Sequence, residues 1–243
     1  MSAPAFVVGT DRLVAGTVVV DGPEGRHAAT VTRLGVGETV LLTDGSGRWA
    51  DGVVSGVSKD RLDVLITSVT EDPPASPRFV VVQALPKGDR GEVAVETLTE
   101  VGVDVIVPWA ASRCVTRWRD DRVAKSLARW RTTGRTAAKQ SRRTRFPEVT
   151  DLASTAEVAA LLGAATAGVV LHEDATEPLS RMLPPAVGDL VMVVGPEGGI
   201  SPDELAAFDA AGATAYRLGE TVLRTSTAGT AALAVLMAGT RWR

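Results

Sequence analysis

The pattern of apolar and polar residues changes rhythm once along this chain. Up to residue 70 the apolar positions come in short valine-rich runs: Thr17–Val20, Thr39–Thr43, Ala50–Val57 and Leu62–Val69. Runs of that length bounded by glycine and polar residues are strand signals. Asp44-Gly45-Ser46-Gly47 joins two of them and reads as a hairpin, since Asp-Gly accepts the positive φ of a tight turn. The pattern predicts a small β-barrel or sandwich, with a helical turn only at 27-HAATVTRLG-35. Residues 71–78, EDPPASPR, carry three prolines and read as a stiff linker.

From residue 79 the chain alternates. Apolar runs at Phe79–Leu85, Val103–Trp109, Ala167–His172, Leu190–Val194 and Thr214–Leu218 are interleaved with helical patterns. The helices are expected at Arg90–Val101, from Asp120 to about Ser141, from Pro202, and from about Thr225 to Met237. Alternation of this kind predicts an α/β region with a mostly parallel sheet covered on both faces. Ligands in such sheets bind beyond the carboxyl ends of the strands.

Composition sharpens this picture in three ways. Of 243 residues 45% are hydrophobic and 23% charged, which excludes whole-chain disorder. A single cysteine, Cys114, and two histidines, His27 and His172, are scattered, so neither a disulfide framework nor a metal site is expected. The start of the chain lacks a signal-peptide pattern and no run reaches bilayer-spanning length, so a soluble, cytoplasmic protein is expected, without membrane contact.

The net charge of −3 would argue against a nucleic-acid partner, but it is unevenly spread. Residues 113–145 hold twelve bases, ten of them arginine, against Asp120 and Asp121. That span stands at +10 and the remainder at −13, which points to an anionic partner met by one face.

Three segments follow strands and carry candidate chemistry. After Phe79–Leu85 comes 86-PKGDR-90, with Asp89 as the expected helix N-cap and Lys87 and Arg90 placed to favour an anion. After Leu190–Val194 comes 195-GPEGGIS-201, whose glycines let backbone approach a ligand closely. Ser201, Pro202 and Glu204 then form a capping box, so Glu204 reads as structural. Glu197 caps no helix and reads as loop-ordering or ligand-facing. The loop is neither a P-loop nor a dinucleotide fingerprint. After Thr214–Leu218 comes 219-GETVLRTSTA-228, with Arg224 just before a helix whose expected N-cap is Thr225 or Ser226.

These segments, with 27-HAATVTRLGVGE-38, 113-RC-114, 140-QS-141, Arg143 and 171-LHE-173, resemble the RsmE family of 16S rRNA uridine-N3 methyltransferases of the SPOUT class. The combination of GPEGG with LRT-x-TA is the specific part, and the matches span nearly the whole chain. The resemblance implies a PUA-like β-barrel RNA-binding domain over residues 1–72. It implies a SPOUT-type α/β domain with a trefoil knot over 78–243, and a homodimer paired through the knot. S-adenosylmethionine would be bound at Leu171, His172, Gly195, Pro196, Glu197, Gly198, Gly199, Leu218, Gly219 and Leu223. Arg224 is the candidate for stabilising a uracil anion, with Glu197 weaker, for loop ordering or proton handling. His172 is open between base and cofactor contact. The RNA, as 16S rRNA or the small ribosomal subunit, would meet Arg33, Lys87, Arg90, Arg113, Lys139, Arg142 and Arg143. Lys139 and Arg142 depart from the family, replacing an acid and a glycine, and Ser226 stands where the family often has Glu. The competing readings are a non-catalytic RNA-binding assembly factor and a SPOUT enzyme with another RNA target.

Overall fold

A computed structural model of the chain describes residues 3–119 and 121–243. They fall into two compact units: residues up to Pro74 with Ala138–Phe146, and Ala75–Ala137 with Pro147–Arg243.

The first unit is built on β1 (Ala5–Val7), β2 (Gly16–Val20), α1 (Gly22–Arg26), β3 (Thr39–Thr43), β4 (Arg48–Ser58), β5 (Arg61–Ile66) and β6 (Thr70–Glu71). The strands form one sheet in the order β1-β3-β4-β5-β2, with β6 added to β4. All ladders are antiparallel except β1 with β3. Period-two alternation fixes the buried face: Leu62, Val64 and Ile66 of β5 are fully buried while Arg61 and Leu65 are exposed. Each such side chain contributes roughly 1.5–3 kcal/mol. Phe6, Leu13, Val40 and Leu42 join the same cluster. The Asp44–Gly47 hairpin is present, and Asp44 Oδ1 accepts from Ser46 N at 2.7 Å and Arg48 N at 3.2 Å. The expected helical turn is longer than its pattern suggested: α1 runs into a π-type turn at His27–Val31.

Segment 138–146 belongs to this unit through polar contacts that hydropathy does not show. Phe146 N donates to Gly45 O at 2.8 Å and Gly47 N to Thr144 O at 3.0 Å. Thr144 Oγ1 donates to Asp72 Oδ2 at 2.6 Å. Lys139 Nζ bonds both oxygens of Glu24, at 2.9 and 2.7 Å.

The second unit comprises β7 (Arg78–Ala84), α2 (Arg90–Val101), β8 (Val105–Trp109), α3 (Asp121–Gln140, its last turn in the first unit), β9 (Glu148–Val149), α4 (Thr155–Ala164), β10 (Ala167–Leu171), β11 (Asp189–Val194), α5 (Pro202–Ala210), β12 (Thr214–Tyr216) and α6 (Thr225–Ala238). Asp120, where the sequence pattern starts the basic helix, lies outside the described residues. The sheet is wholly parallel, in the order β12-β10-β11-β7-β8-β9. β11 is inserted between β10 and β7, so chain order reverses there, and that is where an open α/β sheet forms a ligand crevice.

Helices cover both faces. Val81 and Val194 share one face, and α6 packs on it at Gly229, where a Cβ would lie 3.2 Å from Val194 and 3.6 Å from Val81. Trp109 points the other way and meets Phe208 of α5 edge-on at 5.3 Å. Among the described residues no helix is long and apolar enough to cross a membrane.

Candidate active site

The loops leaving β10, β11 and β12, with the head of α6, enclose a cavity of about 350 Å³ at the carboxyl ends of those strands. That volume lies within the range of small-ligand sites, roughly 300–1,000 Å³. Leu171, His172, Gly195, Pro196, Glu197, Gly199, Leu218, Gly219 and Leu223 line it, and Arg90 and Arg224 reach its wall. Gly198 sits one residue back in the same loop.

The glycine loop is held from outside. Gly199 has φ +73°, and a Cβ on Gly198 would lie 3.0 Å from the carbonyl oxygen of Arg113. Arg113 Nη1 donates to Gly198 O at 3.3 Å, so this arginine braces the loop. Glu197 Oε1 accepts from Lys87 N at 3.1 Å and lies 3.5 Å from Arg90 Nη1. Glu197 therefore ties the loop after β11 to the one after β7.

Glu204 closes the expected capping box with Ser201. It does more than cap. Its two oxygens accept from Ser201 N and Oγ, Ser112 N and Oγ, and Thr155 Oγ1, at 2.7–3.1 Å. Burial alone would raise its pKa, but the hydrogen bonds from the Ser112 and Ser201 backbones outweigh it and hold the carboxyl below its ordinary value.

The third wall is the segment 218–223. Its peptide groups find no backbone hydrogen-bond partner among the described residues and, being mostly exposed, are open to water or to a ligand. A polar molecule with several hydrogen-bonding groups fits such a wall, and one held by backbone fits the glycine loop facing it.

The head of α6 corrects the sequence expectation. Arg224 is the N-cap, and its side chain caps nothing. Thr225 instead donates to Gly195 O and accepts from Gln83 Nε2 at 3.2 Å. This buried network locks the glycine loop to β7 and α6. The Arg224 guanidinium has no partner among the described residues, and the residue lines the cavity. Asp89 likewise occupies the N-cap of α2 without a side-chain cap bond. His172 Nδ1 accepts from Asp174 N at 3.2 Å, which places the proton of the neutral ring on Nε2.

The candidate RNA contacts divide between the units. Lys87, Arg90 and Arg113 are in the second, beside the cavity loops; Arg33, Lys139, Arg142 and Arg143 are in the first. Arg33 and Arg142 both have positive φ, 56° and 55°. Lys139 is committed to Glu24 and only 19% exposed.

Several lining residues escaped sequence reading: Glu173, Tyr216, Arg217 and Thr221. Their signal was positional, since each lies beyond the end of a strand or closes it. Gln83 carried a clearer one, as the lone polar residue inside an apolar strand.

A model described as an RNA methyltransferase domain matches residues 74–237, and one described as an RNA methyltransferase PUA domain matches residues 20–67. The chain is similar to the ribosomal RNA small subunit methyltransferase E of Mycobacterium bovis, 48% identical over all of this chain and 94% of the relative. With the Bacillus subtilis protein of the same name it shares 28% identity, over 91% of this chain and 90% of the other. Among solved structures it is similar to the Neisseria gonorrhoeae ribosomal RNA small subunit methyltransferase E bound to S-adenosyl methionine. The TM-score is 0.84, with 27% identity over 98% of each chain.

Proposed function

The chain belongs to the ribosomal RNA small subunit methyltransferase E family, and on that premise we propose that it methylates N3 of a uridine in 16S rRNA using S-adenosylmethionine. The observation that carries this reading is the cavity at the reversal point of the parallel sheet. It combines a wall whose peptide groups make no backbone hydrogen bond among the described residues with two lining arginines, Arg217 and Arg224, whose side chains make no bond there either.

Leu171, His172, Gly195–Gly199, Leu218, Gly219 and Leu223 would hold the cofactor, which supplies an electrophilic methyl group when bound. The chain's own residues then have two tasks. They must bring an unstacked uracil to the cavity, since its N3 lies on the pairing edge. They must also stabilise the negative charge that grows on the ring as N3 gives up its proton to solvent water and becomes a nucleophile. Arg224 suits the second task, because a fixed cation at the cavity wall needs no reorganisation as charge develops. Glu197 orders the loop, since its Oε1 is already engaged by Lys87 and Arg90. His172, with its proton on Nε2, acts as a donor at the wall rather than as the base.

The domain assignment and assembly follow the same reading: residues 1–72 as the PUA-like RNA-binding part, 78–243 as the SPOUT part with its trefoil knot, working as a homodimer. Arg33, Arg142, Arg143, Lys87 and Arg90 would meet the RNA; Lys139 serves the first unit's stability. Calorimetry with S-adenosylmethionine tests the enzyme against a non-catalytic binder. Stoichiometric binding that is lost when Gly198 is replaced by Val supports the enzyme. Absence of binding by the unaltered protein would sink the proposal.

A further inference from the structure

A second cavity, of about 250 Å³, lies in the same unit and is not used by the chemistry above. The first turn of α2 borders both cavities: Arg90 lines the first, Gly91 and Glu92 the second. Pro86 and Gly88 of the loop after β7 add to the second cavity's wall, and most of the remaining wall comes from the basic span, through Arg117, Trp118, Arg122, Arg129 and Trp130.

The wall is built rather than incidental. Trp118 and Trp130 meet edge-to-face, with centroids 5.1 Å apart and planes at 85°. Trp130 is buried against Gly91, where a Cβ would lie 2.7 Å from the indole. Trp118 is only half-buried, so part of its ring remains open. Arg129 Nε pairs with Glu92 at 2.8 Å, which neutralises the one acid in the wall. Arg117 and Arg122 are exposed and have no side-chain partner among the described residues. Arg117 and Arg122 thus bring positive charge to the same wall as the partly open indole. An arginine pair with an aromatic ring is what grips an unstacked nucleotide: phosphate on the cations, base on the π-face. The volume is below that of drug-sized sites, roughly 300 Å³ upward, and suits one base.

We propose that this cavity is a subsite for a second unstacked nucleotide of the RNA, flanking the base delivered to the first cavity. Trp118 takes the base, and Arg117 and Arg122 take its phosphate. The inference rests on the methyltransferase reading, and its test separates the two.

The test is binding of a labelled single-stranded oligoribonucleotide carrying the target uridine, followed by anisotropy, with each neighbouring position made abasic in turn. Trp118→Ala should weaken binding about fivefold or more, the lower end of a lost base stack. Trp118→Phe should keep most of the affinity. One abasic position should weaken the unaltered protein by a similar factor and leave Trp118→Ala indifferent. Arg117→Ala with Arg122→Ala should flatten the slope of log affinity against log salt by about 0.7, one single-strand phosphate contact. Because both arginines are exposed, that pair keeps the test valid if Trp118→Ala fails to fold. Unchanged affinity, unchanged salt slope and no Trp118-dependent position, with the unaltered protein binding normally, overturn this inference alone. An unaltered protein that binds no oligoribonucleotide overturns the methyltransferase reading and this inference with it.

Discussion

Arg224 stands at the head of α6, where its carbonyl accepts from Thr227 N and Ala228 N and the residue lines the cavity. If it stabilises charge on the uracil, Arg224→Ala should lower kcat about a hundredfold, the cost of one preorganised donor. Calorimetric affinity for S-adenosylmethionine should be unchanged; a parallel loss of cofactor affinity would make Arg224 a loop-holding residue instead. Glu204 makes a stability prediction. Its folded pKa is depressed, so its contribution is complete above the ordinary carboxylate value and is lost as pH falls through the lower folded one. Glu204→Gln should therefore flatten the acid limb of Tm against pH. At neutral pH it should cost about 2 kcal/mol, since the donors of Ser112 and Ser201 lose a charged partner. A parallel downward shift at every pH would contradict the titration and leave only packing.

The end of α3 shows how an element can be paid for by one residue's departure from its family. Arg143 N bonds Ala138 O and Arg142 N bonds Lys139 O, a helix stop that puts Arg142 in the left-handed region. An L side chain there costs about 1 kcal/mol. Arg142→Gly should raise stability by that amount in thermal unfolding while weakening RNA binding; a loss of stability would contradict this account of the cap. The same scale shows what was legible in the sequence. α2 and the start of α5 are where periodicity and capping residues place them, because their apolar stripes and box residues are local. α4 was missed although Ser154 and Glu157 form a capping box, since its alanine-rich run shows little polar contrast. β1 and β9 are too short to give a pattern, and both depend on partners far along the chain: β1 on β3, β9 on β8. The cavity's glycine loop was legible. The Gln83–Thr225–Gly195 network behind it was not, because it exists only after β7, β11 and α6 pack together.

At the level of the whole molecule, the charge of −3 is a sum of opposites. The basic span is shared between the units: Arg113 and Arg117–Arg135 serve the second, Lys139–Arg145 the first. RNA affinity should then fall steeply with salt, each phosphate contact adding about −0.7 to the log–log slope for a single strand. A slope near zero would remove the basic span from the interface. The central claim, that this cavity serves methylation of a pairing-edge nitrogen, is tested most directly by reverse transcription across the 3′ region of 16S rRNA. The RNA is taken from cells with and without the gene. A methyl group on N3 blocks pairing, so the account predicts a stop at one uridine in the first sample and read-through in the second. A stop that persists without the gene would contradict it.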